Sequence, residues 1–327
     1  MGKTGEGLKR QSFLLSGLEL SELDRRIISH LQEDGRRPYI EIARETGVTE
    51  KTIRARARQL LDSDTIRIVA LCTPDVLGFS ACAMVGVTTL PGSDHRLLSE
   101  QLSAISSVDY VTLSHGRYNL LVEILARDDQ ALRQVLEQEI GSLAGIASVE
   151  VFPYHSVSYQ QAATALVGSM RPGASVPDRP LSDFDRAVIA ILTEDGRMSF
   201  RAVAEMTGVS EAKVRQRVQE LIALGHIQIL ALLNPLNLSR VKVAWLAIKA
   251  APGQGLRDLA RQLAGNAYIS YIAICAGRFD IFAEMICPPD QELLTLIDET
   301  IRPMPAIRDI EVFPYSSLHY KRLGAPA

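Results

Sequence analysis

The chain has 327 residues, 47% of them hydrophobic and 22% charged, the proportions of a folded globular protein and not of a disordered one. At about 150 residues per domain, this length predicts two or more domains with real cores. With 35 Lys and Arg against 38 Asp and Glu, the formal charge is −3, which excludes a global positive field and confines any nucleic-acid contact to a local patch.

Residues 1–17 lack the apolar run of a secretion signal and read as a flexible tail. In that tail, Gly2-Lys3-Thr4 lacks the upstream glycine and the following apolar helix of a phosphate-binding loop. No segment approaches the roughly 18 uninterrupted apolar residues of a membrane span. A cytoplasmic protein with no membrane partner is expected. Cys72, Cys82, Cys275 and Cys287 form no CxxC pair and stand in apolar runs, so buried thiols are expected, with no metal and no cofactor.

Residues 18–72 read as a winged helix-turn-helix domain. Leu23, Ile27 and Leu31, then Ile42 and Ala43, then Ile53, Ala57 and Leu60 recur at helical spacing. Ser21 and Asp24 start the first helix with a capping-box pattern, Asp34-Gly35 ends it, Gly47 breaks the second, and Thr49 caps the third. The β-rich stretch Ile66 to Leu71 then supplies a wing. Residues 73–160 change period: strand 81–89, helix 94–105, strands 108–114 and 118–125, helix 129–140, strand 148–154. That βαββαβ order predicts a ferredoxin-like domain with both helices on one sheet face. The other face, carrying Val85, Val87, Leu121 and Val149 or their alternating neighbours, is left needing a cover.

Residues 161–180 form a linker whose RPGASVPDRP segment has no apolar period. Beyond it the sequence repeats. At a shift of 161 residues, LSELDRRIISHLQEDGR from Leu20 aligns without a gap on LSDFDRAVIAILTEDGR from Leu181, and 22 of the 52 positions from Leu20 to Leu71 are identical. A second winged helix-turn-helix domain at 181–233 and a second ferredoxin-like domain at 234–322 follow. The fold class is therefore α+β, and two uncovered sheets predict face-to-face packing as an intramolecular pseudo-dimer.

Chemistry concentrates on the third helix of each copy, the one that enters the major groove in helix-turn-helix proteins. Opposite the apolar face of Ile53, Ala57 and Leu60 lie Lys51, Thr52 and Arg58, with Arg54 and Arg56 on the flanks and Thr49 at the start. The local charge over residues 49–60 is +3. The second copy offers Ser210, Lys213, Arg215, Gln216 and Arg217 at a local charge of +1, so it should grip phosphates less strongly. Guanidinium groups suit the task because they bind phosphate or the guanine edge in a bidentate way. Because the two helices differ, the expected site is an imperfect inverted repeat. No nucleophile-base set, HExxH helix or Walker loop is present, and no catalytic residue is assigned.

LDRRIISHLQEDGRRPYIEIARETGVTEKTIRARARQL, followed by a βαββαβ segment containing GRYNLLVEI, resembles the Lrp/AsnC (feast/famine) family of transcriptional regulators, and the resemblance recurs in the second copy. It implies winged-helix binding to double-stranded DNA, pairing of the sheets, and further homo-oligomers of pseudo-dimeric chains. It also implies a small-molecule effector, often an amino acid, at Gly116, Arg117 and Asn119 and at Gly277, Arg278 and Asp280. Glycine there admits a ligand to the backbone, and Asp280 keeps an anion for an ammonium group where Asn119 does not. Two alternatives stand beside this reading. Sirohaem decarboxylases use a similar scaffold, and His115 with Tyr118-Asn119 is distantly similar to one of their segments, but the second copy has Ala276 in place of His115. A metabolite-sensing or assembly protein that ignores DNA is the other.

Overall fold

A computed structural model describes residues 20–72, 74, 78–159, 181–233, 242–266, 268–287 and 291–320; the expected tail and the 161–180 linker lie outside them. The chain divides into two compact units, and each draws on both sequence repeats. One holds the helical segments and the other the βαββαβ segments.

In the helical unit, the first repeat forms α1 (Glu22–Glu33), α2 (Tyr39–Thr46), α3 (Glu50–Asp62) and β1 (Ile66–Leu71). Its duplicate forms α6 (Asp183–Glu194), α7 (Phe200–Thr207), α8 (Glu211–Ala223) and β6 (Gln228–Leu233). Helix α1 begins with the expected reciprocal cap: the Ser21 hydroxyl accepts from the Asp24 N–H at 3.1 Å, and the Asp24 carboxylate accepts from the Ser21 N–H at 3.1 Å. Gly47, at φ +76°, ends α2 in the left-handed conformation that a tight turn needs. Ile27, Ile28, Leu31, Ile42, Ile53 and Ala57 are fully buried and fasten the three helices together.

Each β-rich segment was expected to serve its own repeat as a wing. Instead, β1 and β6 pair with each other, antiparallel, from Ile66 opposite Leu233 to Leu71 opposite Gln228. A lone strand would leave a row of N–H and C=O groups unmatched, and the duplicate strand supplies them. The ends of the first helices complete the exchange. Gly35 N–H donates to the Ile229 carbonyl and Gly196 N–H to the Ile68 carbonyl, both at 2.8 Å. The adjacent arginines cross in opposite directions: Arg36 donates to the Gly196 and Met198 carbonyls at 2.7 and 3.0 Å, and Arg197 to the Gly35 carbonyl at 2.9 Å.

The second unit contains β2 (Ala81–Thr89), α4 (His95–Ala104), β3 (Val108–Ser114), β4 (Leu120–Ala126), α5 (Asp129–Gln134), a π-helical turn (Val135–Ile140) and β5 (Ile146–Tyr159). The duplicate contributes β7 (Lys242–Ala250), α9 (Leu256–Ala264), β8 (Ile269–Cys275), β9 (Ile281–Cys287), α10 (Leu293–Thr300) and β10 (Ile307–Tyr320). Each half has the ferredoxin-like strand order, but their edges also join, giving a closed barrel in the order β10-β3-β4-β2-β5-β8-β9-β7. The cause lies in β5 and β10. Each runs for 14 residues, where the sequence reading ended the first at Tyr154. The early part of β5 pairs with β2 and its continuation with β8, while β10 pairs first with β7 and then with β3. Closure leaves no open edge among the described strands of this sheet.

Alternation along the strands sorts the side chains. Val85 and Val87 join Leu102, Val122, Ile124 and Leu132 in the core beneath the helices, and Ile248, Leu259, Leu263 and Ile281 do the same in the second half. Val85 and Val87 are thus on the helix side, whereas their neighbours Met84 and Gly86, with Leu121, face the barrel interior. Val149 is partly exposed. Cys82, Cys275 and Cys287 are buried and Cys72 half-buried, all as free thiols, and burial pushes the Cys275 thiol up to about 12.

The contact between the helical repeats depends on Gly35 and Gly196. A β-carbon at Gly35 would meet the Leu230 backbone at 2.8 Å, and one at Gly196 the Val69 backbone at 2.9 Å. Gly35→Ala and Gly196→Ala should each cost about 1–3 kcal/mol, the range for overpacking a close contact. Thermal unfolding should show it, with Gly253→Ala, where no atom stands within 4 Å, as a smaller strain-only control.

Candidate DNA interface, effector loops and buried carboxylates

Helix α3 presents its cations as expected, with one exception. Thr49 caps the helix by accepting from the Thr52 N–H at 3.2 Å, and the two hydroxyls lie 2.9 Å apart. Lys51 is exposed, the Arg54 side chain is 66% exposed beside Glu50, and that of Arg58 is 81% exposed with Asp62 at 3.6 Å. Exposed pairs of this kind are weak and exchange readily for phosphate. Arg56 instead turns back to α1. Its Nε donates to Asp24 Oδ1 at 2.9 Å, its second terminal nitrogen reaches Asp24 Oδ2, and the Asp24 side chain is almost wholly buried.

The second copy repeats this plan with less free charge. Ser210 caps α8 by accepting from the Lys213 N–H at 3.4 Å. Lys213 stands 5.3 Å from the Phe184 ring, Arg215 pairs with Glu211 at 2.6 Å, and Gln216 donates to Glu220 at 2.9 Å. Arg217 pairs with the buried Asp185 at 2.5 Å and with Glu220 at 2.8 Å. Where α3 carries Arg58, α8 carries Gln219. Arg56 and Arg217 therefore orient their helices, while Lys51, Arg54, Arg58, Lys213 and Arg215 remain on the open side.

The Gly116–Asn119 and Gly277–Asp280 loops lie at the joints of the barrel. Gly116 and Gly277 have φ +132° and +126°, and a β-carbon at either would touch Phe313 or Phe152 of the opposite half at 3.3 Å. Arg117 makes a two-pronged pair with Glu311, with both contacts at 2.9 Å, and Arg278 reaches Glu150 at 3.0 Å. Both arginines thus tie one repeat to the other. The Asn119 side-chain Oδ1 accepts from the Thr89 N–H at 2.9 Å, whereas Asp280 accepts from the Ala250 N–H at 2.9 Å and from Lys249 Nζ at 2.7 Å. The two loops share a fold but differ in charge, as Asn119 and Asp280 imply.

Sequence reasoning missed a pair of acidic sites inside the barrel. Glu123 accepts from Tyr154 at 2.9 Å and from Tyr271, which belongs to the other repeat. Glu284 accepts from Tyr315 at 2.5 Å, from Tyr110 of the other repeat at 2.7 Å, and from Ser270. Burial pushes the Glu123 carboxyl above the usual range despite the two phenols, and Glu284 adds to that rise. Trp245 stands between the crossing tyrosines, edge-on to Tyr110 at 5.6 Å and to Tyr271 at 5.4 Å. The available signal was a glutamate in the middle of an apolar strand at the same place in both repeats, Leu121-Val122-Glu123-Ile124 and Phe282-Ala283-Glu284-Met285. Among the described residues, no group of three His, Cys, Asp or Glu is placed to hold a metal, and no helix is long and apolar enough to cross a membrane.

Comparison with known proteins covers both units. An AsnC-type helix-turn-helix domain matches residues 20–61 and 181–222, an Lrp/AsnC ligand-binding domain matches 82–161, and a C-terminal dimeric alpha+beta barrel domain matches 247–322. An uncharacterized HTH-type transcriptional regulator of Pyrococcus furiosus is 36% identical over 132 residues, 40% of this chain and 88% of the relative. The HTH-type transcriptional regulator LrpA of Pyrococcus horikoshii is 31% identical over 135 residues, 40% of this chain and 92% of the relative. Among solved structures, the siroheme decarboxylase NirDL aligns over 94% of this chain and 95% of its own at a TM-score of 0.63 and 16% identity, a likeness of fold alone.

The Asp24–Arg56 and Asp185–Arg217 pairs set a pH dependence. Burial opposes charge on both aspartates, but hydrogen bonds from the arginines and serines outweigh it and hold both carboxyls below the ordinary range. The stability they supply is complete above the unfolded value of about 3.9 and is lost as pH falls through the lower folded values. Asp24→Asn should cost about 1–3 kcal/mol at pH 7, and the gap to the parent protein should close below about pH 4, as read by thermal melts across pH.

Proposed function

The chain belongs to the Lrp/AsnC family of DNA-binding transcriptional regulators, and from that premise we propose that it reads an imperfect inverted repeat with both recognition helices of one polypeptide. The observation that carries this reading is the β1–β6 ribbon, with the crossed Arg36 and Arg197 contacts, which holds α3 and α8 in one compact unit. Two helices so held address two half-sites without a second chain. Thr49, Lys51, Thr52, Arg54 and Arg58 serve one half-site and Ser210, Lys213, Arg215 and Gln216 the other, while Arg56 and Arg217 fix the angle of their helices. With more free cations, α3 is the stronger anchor.

Effector control follows from the loops at the barrel joints. An amino acid would place its ammonium group on Asp280, sharing that carboxylate with Lys249, and its carboxylate on the amides beside Gly277. The Asn119 loop lacks the anion, so this reading gives one strong site per chain. Because Arg278 spans to Glu150 of the other repeat, an occupant beside Asp280 would bias the arrangement of both halves of the barrel. Association of whole chains into larger oligomers completes the proposal.

Anisotropy titrations of the full chain on fragments of its own genome test the DNA reading. Arg54→Ala with Arg58→Ala should reduce the slope of log affinity against log salt by about two, one for each lost phosphate contact. Arg215→Ala should reduce it by about one. Unchanged slopes in all variants would refute the assignment. Calorimetry with single amino acids should find one site per chain, removed by Asp280→Asn and kept by Asn119→Ala. A Soret band and carbon dioxide release on adding an iron tetrapyrrole would instead favour the decarboxylase alternative.

A further inference from the structure

A cleft of about 770 Å³ opens in the helical unit between the C-terminal end of α1 and the flank of α8, with part of β6 as a wall. Its volume falls within the range of small-molecule sites. Val218, Ile222, Ile229 and Leu230 give it apolar walls. Ile222 is 42% exposed, a large apolar side chain turned to an open space.

Gln32 also lines this cleft. The residue is completely buried, and both its carboxamide oxygen and its nitrogen lack a hydrogen-bond partner. A buried amide with neither half satisfied is costly and rare in native proteins, so it calls for a partner. The duplicate shows that this position does not require one. Thr193, which occupies the equivalent place in α6, donates to the Ile189 carbonyl at 2.7 Å and satisfies itself. The two repeats have diverged at a wall residue that can offer a donor and an acceptor side by side and whose amide has neither half satisfied.

Charge narrows the occupant further. Glu33, Asp34 and Glu211 balance Arg36, Arg201 and Arg215 around the cleft. The guanidinium groups are engaged: Arg36 with backbone carbonyls, Arg201 with Glu205 at 3.1 Å and Arg215 with Glu211 at 2.6 Å. Three acidic and three basic side chains leave the lining with no net charge that calls for an ion. We propose that the cleft is a second small-molecule site, separate from the barrel loops, for a neutral planar heterocycle with an amide-like edge, the chemistry shared by nucleosides and nicotinamide. Gln32, whose amide is closed to solvent in this structure, would turn toward the cleft to meet that edge with one donor and one acceptor, as glutamine meets adenine, and the apolar walls would take the ring. Glu211, Arg215 and Gln219 belong to α8, so an occupant touches the helix assigned to DNA; this regulatory consequence rests on the DNA-binding reading.

The test uses the full chain without DNA, titrated with adenosine, guanosine, cytidine, uridine and nicotinamide in turn, by calorimetry and thermal melting. At least one probe should bind one to one and raise the melting midpoint in proportion to the logarithm of its concentration. Gln32→Thr, the residue of the duplicate, should fold with a midpoint at or above that of the ligand-free parent and bind the probe at least about tenfold more weakly. Absence of binding by all five probes at millimolar concentration would overturn the proposal, as would equal binding by the Gln32→Thr protein. Repeating the DNA titration with bound probe should change affinity at least about threefold. Since the first titration contains no DNA, loss of the DNA reading would leave it intact, and its own failure would leave the DNA titration intact.

Discussion

Each repeat of this protein is left with hydrogen-bonding edges that it cannot satisfy alone, and its duplicate carries the complementary set. Among the described residues, strand β1 finds its partner in β6 of the duplicate and not in its own helical segment. The ends of β5 and β10 outrun their own sheets and are matched by β8 and β3. Unpaired backbone polar groups are expensive wherever water is excluded, so these exchanges come close to being obligatory. The remaining architecture, from the arginines crossing at Gly35 and Gly196 to the barrel closure, follows from this one need.

The same logic extends to side chains. Glu123 and Glu284 each take one phenol from their own repeat and one from the other, so neither carboxylate is satisfied by a single repeat. Arg117 and Arg278 also find their glutamates across the pseudo-dyad. Fusing two copies places both partners permanently within reach and removes the entropy loss of associating separate chains. It also frees the copies to diverge. Asn119 against Asp280, Arg58 against Gln219 and Gln32 against Thr193 are changes that identical subunits could not carry on one side only.

Divergence is uneven in a way that separates architecture from recognition. Both capping boxes, both aspartate–arginine clamps and both Glu–Tyr–Tyr clusters are kept. The exposed cations of α3 and α8, the charge of the Asn119 and Asp280 loops and the lining of the interrepeat cleft are not. Buried polar groups tolerate no loss of a partner, because an orphaned donor or acceptor costs more than the bond contributed, whereas an exposed arginine can be replaced at little cost to the fold.

What the sequence determined by itself was whatever depends on local periodicity and on the repeat. The ungapped 161-residue shift, the capping patterns at Ser21 and Thr49 and the βαββαβ order were all legible because helix and strand periods and turn residues act over a few positions. The cationic face of α3 was legible for the same reason, with Lys51 and Arg58 opposite the apolar side, while Arg54 and Arg56 were both read on its flanks. Only the tertiary structure decided that Arg56 turns to Asp24, that β1 pairs with β6, and that long strands close the sheets into a barrel with two acidic sites inside. Those outcomes join residues far apart in the chain, and a periodic pattern states which face of an element is apolar without stating which distant edge will meet it.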